Sequence, residues 1–295
     1  MLILRNTNYS GLSNVRQTSK MTSLRLIDEM VESSVKWDKP IERIGIDGKG
    51  VAKRKQVFNI TNLVENQIIA IFPNINQKEL KSRLLEVDIK LRMAVKEVCI
   101  DMDTFFVAII KECFPNAKIV IDHFYVIQWS IHLLKEQKKV IQAISNRENK
   151  FPINQLLSKP THKLTKKEFD KLNYYFIKAP KLKESWKIIH QLRKVYWQDD
   201  YKKANHQLRY VVWLCNQSKI PQMNDLAKTL IRWFDGILNY YISKTTNAYT
   251  EGIHNHFERI KRNHFGVRNI DRFCKRLLFS LLPMSIFLEI ITQRC

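Results

Sequence analysis

Residues 95–122 read VKEVCIDMDTFFVAIIKECFPNAKIVID, and the order of their apolar runs and breaks decides the fold. Val95 to Ile100 is a short apolar run closed by Asp101, which predicts a buried strand. Thr104 to Phe114 then carries apolar residues at helical spacing until Pro115-Asn116 stops it. Lys118 to Ile121 is again strand-like and closes on Asp122. A strand, a helix and a strand within 28 residues leave little room for anything but a compact α/β core.

Toward the N-terminus the same reading gives a strand from Ile41 to Asp47 and a hairpin turn over the basic stretch Lys49 to Lys55. A second strand follows from Val57 to Leu63, a third from Gln67 to Phe72, and an amphipathic helix from Gln77 to Leu85. Three strands, helix, strand, helix, strand is the order of an RNase H-like fold, a mixed five-stranded sheet with flanking helices and with acidic residues gathered at strand ends. Residues 1–40 are polar and read as a leader or remnant, with a short helix around Leu24 to Val35 broken by Asp38-Lys39-Pro40. Residues 41–125 form the first part of the core.

Toward the C-terminus the pattern changes. Residues 126–243 lose strand signals and read as a large all-helical insertion whose helices are bounded by Pro152, Pro160, Pro180 and Pro221. Trp129, Trp186, Trp197, Trp213 and Trp233 fall here, and core anchoring is favoured for each over stacking on nucleic-acid bases. Residues 244–295 return as a helical part of the core that carries Glu251.

Composition narrows the partner. The chain has 295 residues, 50 Lys and Arg against 28 Asp and Glu, and a formal charge of +22, which favours a polyanion held through counterion release. No apolar run of about 18 residues or more is present, and Met1 to Ser10 does not have the layout of a secretory signal, so a soluble, cytoplasmic protein without a membrane partner is expected. Five cysteines stand far apart with no Cys-x-x-Cys pair, which points to reduced, mostly buried thiols rather than a zinc site or disulfide framework.

The acidic residues carry the chemistry. Asp47 lies between Ile46 and Gly48, where a residue without a side chain leaves room for an ion and a phosphate, although an ordinary strand-ending turn would look the same. Asp103-Thr104 reads as a helix cap, which leaves Asp101 for a metal. Asp122 is a further candidate ligand, or a group standing behind the ligands. Glu251 shares a helix face with His254, Asn255, Glu258 and Arg262, while Ile253, Phe257 and Ile260 lie on another. Hard carboxylate oxygens brought together from distant segments suit Mg2+. Arg259, Lys261, Arg262 and Arg268 lie among eight Lys and Arg between Lys244 and Arg276, a basic setting for DNA held over a metal.

Three segments carry a resemblance: Ile44-Gly45-Ile46-Asp47; then Ile100-Asp101-Met102 with Phe114 to Phe124; and Thr246-Asn247-x-x-x-Glu251-Gly252-x-x-Asn255 with Ile260-Lys261-Arg262 and Gly266-x-Arg268-Asn269. Over about residues 41–285 the chain resembles the catalytic domain of bacterial insertion-sequence transposases of the DDE type, in the ISL group. The resemblance implies an RNase H-like fold with a helical insertion, and two Mg2+ or Mn2+ ions held by Asp47, Asp101 and Glu251. It implies cleavage at element ends and joining of the freed 3′-hydroxyl to target DNA. The expected partner is double-stranded DNA, with a homodimer assembled on it; a degenerate copy that binds DNA without cutting is the alternative. The chain departs from the family pattern in having Gly48 where Glu is usual, and Asp122-His123-Phe124-Tyr125 where Asp-Arg-Phe-His is usual. Residues 1–40 also contain no cysteine, where the family places a zinc-binding segment and a helix-turn-helix, so a truncated copy is expected.

Overall fold

The structure is a computed structural model that describes Asp28 and residues 37–53, 55–73, 76–144, 153–263 and 269–281. In chain order its elements are β1 (Arg43–Ala52), β2 (Lys55–Asn62), β3 (Gln67–Pro73), α1 (Gln77–Leu85), α2 (Ile89–Ala94), β4 (Glu97–Ile100), α3 (Phe105–Cys113) and β5 (Lys118–Ile121). There follow α4 (His123–Ile144), α5 (Ile153–Ser158), a 3-10 turn (Thr161–Lys163), α6 (Lys166–Lys178), α7 (Pro180–Val195), α8 (Tyr201–Gln217), α9 (Pro221–Arg232), α10 (Phe234–Ser243), α11 (Ala248–Asn263) and α12 (Ile270–Leu281). The expected helix at Leu24 to Val35 lies outside the described residues apart from Asp28.

The strands form one five-stranded sheet in the order β3-β2-β1-β4-β5. β1 pairs antiparallel with β2 and parallel with β4, so the sheet is mixed, the α/β, RNase H-like arrangement expected. Because side chains alternate across a strand, each face has its own core. Ile44, Ile46, Phe58 and Ile60 are buried on one face, where Phe106 of α3 meets Phe58 edge-on at 5.9 Å. On the other face Val51, Val57 and Ile71 join Ile253, Phe257 and Ile260 of α11 and Phe273, Cys274 and Leu277 of α12 in a single cluster.

β1 does not stop at Asp47. It runs on to Ala52 and narrows the Lys49–Lys55 turn to its tip, because Val51 is drawn into the core while Gly48 and Gly50 keep pairing with Phe58 and Gln56. Gly48 also does not open space for an ion: a Cβ there would stand 3.0 Å from the Phe58 ring, so the glycine serves that packing. The expected helix over Gln77 to Leu85 forms with those ends, started by Asn76, whose side chain accepts from the Glu79 amide.

The chain divides into two compact units, residues 1–119 with 245–295, and residues 120–244. Beyond the last residues of β5, the described part of the second unit is helical. Pro180 and Pro221 occupy the first positions of α7 and α9, where the missing amide proton costs nothing, and Pro160 precedes the 3-10 turn. Pro152 lies outside the described residues. Trp186 and Trp233 are buried as expected, Trp186 lying 4.0 Å from the His190 ring. Trp129, Trp197 and Trp213 are not core anchors; Trp197, past the end of α7, is 52% exposed, and Trp213 is 54% exposed because the inward positions of α8 are taken by Ala204, Leu208, Val211 and Cys215. Cys99, Cys113, Cys215 and Cys274 are buried free thiols. No helix among the described residues is long and apolar enough to cross a membrane.

Candidate functional site

In the first unit, β1 and β2 carry a polar strip on the face covered by α11. The antiparallel register sets Gly45 opposite Thr61 and Asp47 opposite Asn59. Asn59 and Thr61 are fully buried and Asp47 is 3% exposed. The first turn of α11 lies directly on this strip, where the hydroxyls of Thr61 and Thr250 are 2.8 Å apart. A Cβ at Gly45 would stand 2.4 Å from Asn247 Oδ1, 2.6 Å from Thr250 Oγ1 and 2.7 Å from Thr61 Oγ1, so only glycine admits this approach. Just before the helix, Thr245 donates its hydroxyl to Glu97 Oε2 of β4 at 2.6 Å.

One turn along α11, His254 points inward. Its Nε2 is 3.0 Å from Asn59 Oδ1 and its Nδ1 is 3.6 Å from Asp47 Oδ2, with both side chains buried. Burial first, and then the charge of Lys49, holds the His254 pKa down at about 4, so the ring is neutral at physiological pH. This corrects the grouping of His254 with an outward face. The stripe Asn247, Thr250, His254 adjoins the stripe Ile253, Phe257, Ile260, and both turn to the sheet, the polar one over Gly45 and Asp47 and the apolar one over Val57 and Ile71.

The carboxylates occupy three different settings. Asp47 sits inside β1 and accepts the Gly48 amide on Oδ1 at 2.7 Å. Asp101 directly follows β4. The parallel register ends with Gly45 beside Cys99, and counting two residues on from each reaches Asp47 and Asp101. Asp101 Oδ1 is buried with no hydrogen-bond partner. Burial, with Asp103 adding, raises the Asp101 carboxyl to about 6. Asp103 Oδ1 accepts the Phe105 amide at 2.9 Å and so starts α3, the division of labour expected between the two aspartates. Glu251 is half-buried in the first turn of α11, one turn after Asn247 and one before His254.

Asp122 belongs to the second unit. Its Oδ1 accepts the Phe124 amide at 2.9 Å and lies 3.2 Å from His123 Nδ1. The His123 ring is 5.5 Å from Tyr196 and 5.7 Å from Tyr240. Burial, with Tyr241 and then Asp122 adding, holds Tyr196 well above its ordinary value.

The basic side chains differ in availability. Asn255, Arg259 and Arg262 form an exposed stripe on α11. Arg259 Nη2 reaches His256 Nδ1 at 2.5 Å, and His256 Nε2 donates to Ser280 Oγ of α12 at 2.7 Å. Lys261 is half-buried and ion-paired to Glu258 at 3.3 Å. Arg268 lies outside the described residues.

The donor chemistry suits a hard divalent cation. Asp101 offers an orphaned buried oxygen that a cation would satisfy, and the neighbouring Asp103 is also a carboxylate. In the present arrangement, however, no three His, Cys, Asp or Glu side chains among the described residues stand close enough together to hold one.

The chain has relatives among known sequences. Residues 44–277 match the model of a family described as transposase. Among relatives is the transposase for insertion sequence element IS1001 of Bordetella parapertussis, 23% identical over 285 residues that cover 92% of this chain and 69% of that protein. The family match takes in Asp47, Asp101, Asp122 and Glu251.

Proposed function

Because this chain belongs to a transposase family of the ISL group, we propose that it cuts DNA at insertion-sequence ends and transfers the strand by a DDE mechanism. In this reading Asp47, Asp101 and Glu251 hold two Mg2+ or Mn2+ ions, with Asp122 as an additional group. The ions supply an activated water or 3′-hydroxyl and a stabilised leaving oxygen. The supporting observation is the polar strip on the sheet. Gly45 lets α11 seat against β1, so the helix that carries Glu251 meets Asp47 through His254.

The chain's own residues divide the work. Asp47 and Asp101 bring negative charge to neighbouring strands, Glu251 brings it from the helix, and Asn59, Thr61 and Thr250 fix the helix on the sheet. Asn255, Arg259, Lys261, Arg262 and Arg268 contact phosphates of double-stranded DNA, both element end and target. The helical unit is an insertion into the catalytic core, and the protein acts as a homodimer assembled on DNA in the cytoplasm.

A second reading is a transposase-derived protein that binds DNA without cutting it, favoured by the lack of a closed three-ligand group among the described residues. Strand cleavage and transfer on an inverted-repeat substrate, with Mg2+ or Mn2+, separates the two. Loss of activity of about a hundredfold to a thousandfold in Asp47→Ala and Asp101→Ala is expected, by analogy with removal of a transition-state charge stabiliser. Equal background activity in wild type and both variants, with DNA still bound, would establish the inert binder.

A further inference from the structure

We propose that the outward face of α8 is a stacking platform for unpaired bases of a DNA strand, separate from the basic stripe on α11; the proposal rests on DNA being the partner and not on its being cut. Charge points to the helical unit first. Residues 120–244 hold 23 Lys and Arg against 10 Asp and Glu, more than half of the chain's excess of +22 in less than half of its length. Within that unit α8 reads YKKANHQLRYVVWLCNQ, without a single acidic residue. Ala204, Leu208, Val211 and Cys215 repeat at helical spacing on its inward side, and Lys202, His206, Arg209, Tyr210 and Trp213 are exposed on the opposite side.

The two aromatics of this face lie against each other, with ring centroids 6.0 Å apart and planes only 19° from parallel. Large rings left in water as a parallel pair offer a flat face to a further ring. Arg209 is held beside them: its Nε donates to Asn205 Oδ1 at 2.8 Å and its guanidinium lies 5.3 Å from the Phe234 ring, so less ordering is lost when it meets a phosphate. The acids just before the helix are engaged elsewhere. Asp200 caps it through the Lys203 amide, and Asp199 and Asp200 lie 3.9 and 3.7 Å from the Lys203 ammonium, which leaves the stripe of Lys202, His206 and Arg209 to an outside anion.

The form of the DNA follows from the rings. A duplex presents base edges and phosphates, whereas an unpaired base presents a π-face on which an aromatic side chain stacks whatever the sequence. A protein partner is the poorer match, because Lys is depleted at protein interfaces while Trp, Tyr and Arg are enriched, and Lys202 stands on the same stripe as Trp213. Rings flanked by cations suit a single strand, with phosphates on the basic groups and bases on Tyr210 and Trp213.

Fluorescence anisotropy of the full chain with a labelled single strand, the same strand made abasic, and a blunt duplex tests the assignment. The single strand should bind more tightly than its abasic form. Trp213→Ala should weaken single-strand binding about 5–100-fold, the loss expected for one stacked base, and leave duplex binding unchanged. Trp213→Phe, which keeps a ring, should restore most of the loss. Iododeoxyuridine in the bound strand should cross-link within residues 201–217 on irradiation, which decides the point in the wild type even if a variant fails to fold. Equal binding of the normal and abasic strands, with the duplex still bound, overturns the proposal and leaves the DNA-cutting reading intact. Self-association that Trp213→Ala abolishes, with single-strand binding unchanged, also overturns it and gives the face to a second copy of the chain. No binding of any of the three DNAs overturns both readings.

Discussion

The hydroxyls of Thr61 and Thr250 meet at 2.8 Å although 189 positions separate them in the chain. The pair is buried, and with Gly45 beneath it sets the distance between α11 and the sheet.

A methyl group at Gly45 should therefore unseat the helix. The three oxygens closer than 3.0 Å to its Cβ belong to side chains fixed by the strip itself, so little can give way. Gly45→Ala is expected to cost about 1–3 kcal/mol in urea unfolding, as overpacking does. Gly50→Ala, where nothing lies within 4 Å, should stay within about 0.5 kcal/mol. Equal midpoints for the two variants would contradict the packing account.

Asp101 should be held at a cost to stability. Its folded carboxyl titrates at about 6, above the ordinary 3.8, so the folded state binds the proton more tightly than the unfolded chain. The ionised form is then penalised in full above about pH 6, partly between the two values, and not at all below about pH 4. Asp101→Asn should stabilise the protein at pH 7 without divalent ions by up to about 3 kcal/mol, with the gain fading as pH falls to 4. Mg2+ should narrow the gap by stabilising only the wild type. Urea melts over a pH series check this, and a gap that does not change with pH would refute it.

Arg262 and Lys261 are adjacent yet should differ in DNA binding. Arg262 is exposed, while Lys261 is half-buried against Glu258 at 3.3 Å. Arg262→Ala is expected to lower the slope of log affinity against log salt by about 1 for any duplex. Lys261→Ala should change it less, since part of its charge is already met by Glu258. Fluorescence anisotropy across a salt series reads both, and identical slopes would remove Arg262 from the interface.

The tryptophans of the helical unit should separate by stability. Trp186→Ala removes a buried ring packed on Phe176 and His190 and is expected to cost about 3–5 kcal/mol. Trp213→Ala, exposed and stacked only on Tyr210 among the ring contacts of α8, should stay within about 0.5 kcal/mol. Denaturant midpoints followed by far-ultraviolet circular dichroism give the comparison.

The sheet was legible because its strands are apolar runs closed by breakers: Lys118 to Ile121 keeps the ends its sequence suggests, as does the helix from Gln77 to Leu85. β1 was harder to read, since the lysines and glycines after Asp47 look like a turn until Val51 is seen to be buried. α2 was not anticipated; six residues carry too little periodicity to distinguish from a loop. The acidic residues could be picked out from their strand contexts, but His254 was set on the wrong side of its helix. A signal was present in β2, where Asn59 and Thr61 alternate with Phe58 and Ile60 and mark a strip of the sheet that needs polar company. Nothing local in α11 says which of its neighbouring stripes would supply it.

The long separation between Thr61 and Thr250 also orders events during synthesis. At about 5–20 residues per second, roughly 10–40 s pass between the appearance of the two on the ribosome. Through that interval the nascent chain displays β1 and β2 without their cover, Asn59 and Asp47 open to water. The cover that α11 gives to β1 and β2 therefore forms late, and the long sequence separation of this contact makes its closure slower than the formation of any single element.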